Sequence, residues 1–95
     1  MGKLNLEAVN KVLAQSDVEF AGLFGSQASD TADSASDVDI LVKFKKPQGL
    51  IKIVGLREAI SQALRKKVDL VTEQSLSPYI RESVMNSLQV FYGKR

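Results

Sequence analysis

A small α/β (α+β) fold, one mixed β-sheet with helices packed on it, is what this sequence predicts. Three observations lead there. Apolar runs of strand length alternate with segments whose apolar residues recur at helical spacing. Gly, Pro, Ser and Asp cluster between those segments, where turns belong. The 95 residues suit one domain, spanning residues 1–95, with a single modest core.

The elements follow in order. Within Leu4 to Ala14, the spacing of Leu6, Val9, Val12 and Leu13 predicts a helix, with Asn5 as its N-cap. Ser16-Asp17 breaks that pattern. Val18 to Phe24 reads as a short buried strand ending at Gly25. Gln27 to Ser36 is small, polar and acidic, and is expected to form one or two helical turns followed by a loop. Asp37 to Phe44 is a second strand, and Lys45-Lys46-Pro47-Gln48-Gly49 a turn. Leu50 to Leu64 is the clearest helix, with Leu50, Ile53, Val54, Leu56, Ile60 and Leu64 as its apolar stripe. Arg65-Lys66-Lys67 closes it with cations, which the helix dipole favours at that end. Val68-Asp69-Leu70-Val71 is a third strand. Ser77 caps a last helix, with Pro78 at its first position and Ile80, Val84 and Leu88 as its core face. Val90-Phe91-Tyr92 adds a short closing strand.

Composition narrows the chemistry. With no cysteine and no histidine, the chain excludes disulfides, thiolate zinc sites, thiol catalysis and mechanisms built on a histidine base. A metal here must be held by oxygen, which favours Mg²⁺ or Mn²⁺. No apolar run approaches the roughly 20 residues that span a bilayer, and the start of the chain lacks a signal-peptide core. The expectation is a cytoplasmic protein with no membrane partner. Charge is unevenly distributed: residues 1–40 carry seven acidic against two basic side chains, and residues 41–95 eleven basic against four acidic. An acidic site that loads metal, with basic surroundings for an anionic ligand, fits this split. Nucleic-acid binding through the basic half is disfavoured, because the net charge is only +2 and no readout motif is present.

One constellation concentrates the chemistry. Gly25-Ser26 is followed, ten residues later, by Asp37-Val38-Asp39 running into Ile40-Leu41-Val42. On a strand, Asp37 and Asp39 share a face, and two carboxylates on one face of a sheet call for a cation. Gly-Ser supplies a close backbone approach and a hydroxyl, both suited to a phosphate. Asp69 stands in the third strand as Asp37 and Asp39 stand in the second, so adjacency of those strands would converge three carboxylates. Phosphoryl and nucleotidyl transfer use such a patch to hold two divalent ions roughly 3.5–4 Å apart.

These residues resemble the nucleotidyltransferase superfamily related to DNA polymerase β, and in length its minimal members, the MNT type. Gly25, Ser26, Ala28, Ser36, Asp37 and Asp39 match the family pattern Gly-Ser-x-Ala-Arg-Gly and Ser-Asp-x-Asp-Leu, with Ile40 in place of the final Leu. The resemblance implies a polymerase β palm-like fold in which Gly25 and Ser26 contact nucleotide phosphates. It also implies that Asp37 and Asp39 bind two Mg²⁺ ions and that Asp69 completes the catalytic site. The implied activity is transfer of a nucleoside monophosphate, AMP from ATP, to a hydroxyl. Many minimal members act as the antitoxin of a small helical HEPN-type protein, so such a partner is implied too; a homo-oligomer is compatible with the small size. The pattern departs at Ser29-Asp30, where the family has Arg-Gly. The alternative is therefore a catalytically inactive binding module that neutralises its partner by complex formation.

Overall fold

The computed structural model describes residues 5–25 and 38–95. Helix α1 (Leu6–Ala14) starts where the Asn5 side chain accepts a hydrogen bond from the Ala8 amide at 3.3 Å. It turns through Asp17, in the left-handed region at φ 55°, into strand β1 (Val18–Phe24). The Asp17 carbonyl accepts from the Lys45 amide at 2.8 Å, fastening this turn to the far end of strand β2 (Val38–Phe44). Helix α2 (Leu50–Leu64) follows and ends at Arg65, again left-handed. Strand β3 (Val68–Thr72), a 3₁₀ turn (Glu73–Ser75), helix α3 (Pro78–Ser87) and strand β4 (Gln89–Gly93) complete the order.

The sheet runs β3-β2-β1-β4. β2 and β3 are parallel, joined by the α2 crossover, while β1 is antiparallel to both β2 and β4. The mixed sheet with helices on it is as expected, and β2 and β3 are neighbours. The predicted turns between Gln27 and Ser36 lie outside the described residues.

Strand periodicity divides the sheet into two unlike faces. On one, Val38, Ile40 and Val42 of β2 join Val9 and Leu13 of α1 and Leu56, Ile60 and Leu64 of α2 in the main core. On the other, Leu41 and Phe20 meet Leu76 and Met85, with Val84 and Leu88 packed alongside. Gly22 makes this second packing feasible. A Cβ there would come within 2.7 Å of Leu88 Cγ, so only glycine lets the end of α3 settle on β1.

Both predicted helical stripes need correction. In α2 the buried residues are Leu56, Ile60 and Leu64, whereas Leu50 is 75% exposed and Val54 38%. The first turns of α2 turn these side chains away from the sheet. In α3 the buried residue is Met85, flanked by Val84 and Leu88, while Ile80 is 49% exposed. Arg81 occupies the inner side of that first turn instead. Its guanidinium donates to the Glu73 and Leu76 carbonyls, both at 3.0 Å, and so clamps the 3₁₀ turn to α3.

Candidate active site

The site is built from strand register. Asp39 is the second residue of β2 and Asp69 the second of β3, and the parallel ladder pairs them directly. Their neighbours Val38, Ile40 and Val68 enter the main core. By alternation both carboxylates stand on the opposite face, in the rows of Leu41 and Val71. Adjacent strands lie about 5 Å apart. Two carboxylates held this close repel one another unless a cation or donor groups intervene. Asp39 is half-buried and Asp69 exposed, so the pair opens to solvent on one side.

β1 supplies the third wall. Phe24, its last residue, pairs with Asp39, and Gly25 follows immediately at φ 72°. That conformation already disfavours any side chain. Space forbids one as well, since a Cβ at Gly25 would collide with the Asp39 carboxylate Oδ2. The glycine of the Gly25-Ser26 motif thus turns the chain at the spot where its bare backbone abuts the Asp39 carboxylate.

Of the five residues singled out in sequence, the structure brings together Gly25, Asp39 and Asp69; Ser26 and Asp37 lie outside the described residues. Among the described residues no group of three or more acidic side chains converges to hold a metal. The donor set nonetheless suits a hard cation. Its ligands are carboxylate oxygens in a chain with no histidine or cysteine, the chemistry that Mg²⁺ prefers.

The lysines at the C-terminal end of β2 sit elsewhere. Lys43, Lys45, Lys46 and Gln48 line a cleft of about 320 Å³ with Phe44, Ile53 and Thr72. This cleft is at the C-terminal end of the parallel pair, five residues beyond Asp39, or about 16 Å along the strand. These lysines are therefore not beside the paired carboxylates, and Lys43 faces Glu19 at 3.7 Å in an exposed ion pair. Sequence reading counted Arg81 and Arg95 among the eleven basic residues of 41–95 and gave neither a role of its own. In fact Arg81 clamps the 3₁₀ turn, and Arg95 donates to the Met85 carbonyl at 2.8 Å, tying the chain end to α3. An arginine in the first turn of a helix, or beyond the last strand, gives no hint in sequence of which carbonyls it will reach.

Comparison with known proteins agrees with this fold. Residues 6–91 match the family model described as a nucleotidyltransferase domain. The protein adenylyltransferase MntA of Thermococcus cleftensis is 33% identical over 96 residues, covering 93% of this chain and 97% of that protein. Among solved structures, a toxin-antitoxin crystallised with AMP-PNP superposes with a TM-score of 0.83 at 28% identity, covering 97% of this chain and 76% of the other. A complex of the tri-AMPylated Shewanella oneidensis HEPN toxin with its MNT antitoxin gives a TM-score of 0.68 at 26% identity, covering 88% of this chain and 66% of that one.

Proposed function

The chain belongs to the nucleotidyltransferase-domain family, and from that premise we propose that it transfers AMP from ATP to a hydroxyl on a partner protein. The observation that carries this reading is the register pairing of Asp39 with Asp69 beside the bare backbone of Gly25. In this reading Asp39 and Asp69, joined by Asp37, hold Mg²⁺, and Gly25 and Ser26 receive the triphosphate. When bound, the divalent ions supply charge neutralisation at the attacking and leaving oxygens. The protein's own part is positioning. The strand ladder fixes the spacing of two carboxylates, and Gly25 lets phosphate oxygens approach backbone that no Cβ shields. Asp69, the more exposed of the pair, is the carboxylate open to an incoming acceptor hydroxyl.

The acceptor we assign is a side-chain hydroxyl of a HEPN-type toxin, which makes this chain the antitoxin of the pair. Support comes from the adenylyltransferase named among its relatives and the AMPylated toxin complex among its structural neighbours. The test is incubation of the chain with α-labelled ATP, Mg²⁺ and the HEPN-type protein. Label should pass to that protein, cease on addition of EDTA, and return with excess Mg²⁺ or Mn²⁺. Label transfer that is indifferent to EDTA would sink the metal-dependent mechanism.

A further inference from the structure

The first two turns of α2 present an apolar surface that is left exposed among the described residues. Leu50 is 75% exposed, Ile51 89% and Val54 38%. At 100° per residue these three side chains, with Gly55, fall on one side of the helix, away from the buried row Leu56, Ile60 and Leu64. Gly55 is itself unexplained by the fold. A Cβ there would meet nothing within 4 Å, its φ is not in the left-handed region, and glycine inside a helix is less stable than alanine. Gly55, one turn beyond Ile51 and beside Val54, leaves a gap at the edge of this apolar patch of the kind into which a ridge of another helix packs.

The charge around this patch selects the occupant. Lys45 and Lys46 precede the helix and Lys52 lies within its first turn, all exposed. Two acidic residues lie near: Glu58, engaged by Arg57 at 3.2 Å, and Glu73, which shares the cleft of Lys45 and Lys46, so among these described side chains the cations outnumber the carboxylates. A second copy of the chain docked on the same face would set these cations against their own counterparts. A partner with an apolar helix rimmed by carboxylates would meet them favourably.

We infer that the Leu50–Ile51–Val54–Gly55 face of α2 is the surface on which a helical partner protein with an acidic rim docks. The inference rests on the partner-directed function proposed above and gives that partner its place. Because α2 begins at the opposite end of β2 from Asp39, holding the partner and modifying it use separate surfaces of the chain.

The experiment is a binding titration with the purified HEPN-type protein, using wild type, Ile51→Glu, Gly55→Leu and Asp39→Asn. Ile51→Glu should weaken the complex at least about a hundredfold with an unchanged melting temperature, since the side chain already stands in solvent. Gly55→Leu should raise the melting temperature yet weaken the complex, a combination that a purely structural role for this glycine would not give. Asp39→Asn should bind as wild type. Wild-type affinity in Ile51→Glu and Gly55→Leu would overturn the docking surface, and label transfer in the same preparations would show the catalytic reading still standing. Failure of the wild type to bind the HEPN-type protein at all would overturn both. Sedimentation showing a dimer that Ile51→Glu dissociates would overturn the proposal in favour of a second copy.

Discussion

At one end of the parallel pair, Asp39 and Asp69 are set side by side by backbone register. At the other, Leu50 and Ile51 stand on a helix surface largely in solvent. The first arrangement is tightly determined. Sliding β2 against β3 by one residue would turn a carboxylate into the main core and an aliphatic out of it, so burial of Val38, Ile40 and Val68 enforces the pairing. The second is exposed rather than packed among the described residues. The geometry of the proposed site is thus inherited from the core, whereas the proposed docking surface is free to vary without disturbing the fold.

Substitutions can break this comparison at either end. The largest effect is expected from Asp39→Asn, which keeps shape but removes the charge proposed to hold the metal. Transfer should fall about a thousandfold, equivalent to about 4 kcal/mol of barrier. A labelled-ATP assay alongside thermal melting checks it, and an unfolded variant or an active one would each refute the assignment. Next comes Ile40→Ala, in the main core and adjacent to Asp39 along β2. Ile40 is fully buried, so its truncation should destabilise by about 3 kcal/mol in denaturant unfolding. If register depends on the core as argued, activity per folded molecule should fall with it.

Gly25→Ala sharpens the same end. Left-handed backbone costs a side chain about 1–2 kcal/mol, and the Asp39 carboxylate must also move. Stability should drop by at least that amount, with transfer impaired beyond what the unfolded fraction explains. The smallest effect is expected from Asn5→Ala. It removes the α1 cap and should cost about 1 kcal/mol by denaturant midpoint, with transfer unchanged. Loss of activity there would mean that the site is less insulated from the periphery than its register implies.

Much of the architecture was legible because local signals agree with one another. Asn5 before a periodic segment, Ser77-Pro78 before another, and apolar runs bounded by Gly25 and Lys45-Lys46-Pro47 marked element ends that the structure reproduces. The helical stripes were less legible. Apolar spacing shows that Leu50 and Val54 could share a face with Leu56 and Ile60, but a surface aliphatic and a core aliphatic look alike in sequence. Which of them meets the sheet depends on the angle at which α2 crosses it. The same holds for Ile80, whose expected place in the core is filled by the Arg81 clamp and Met85.

The sequence by itself determined the order of the described helices and strands, the absence of thiol and imidazole chemistry, and the spacing of Gly25 from Asp39. Periodicity, turn chemistry and side-chain type are local properties, so each could be read residue by residue. Tertiary structure alone decided that β2 lies between β3 and β1, that Asp69 stands in register with Asp39, and that Gly25 abuts the Asp39 carboxylate. It also left the start of α2 bare. Pairing partners and exposure depend on contacts between distant segments, whose balance of burial against chain entropy is settled only when the whole sheet closes on its helices.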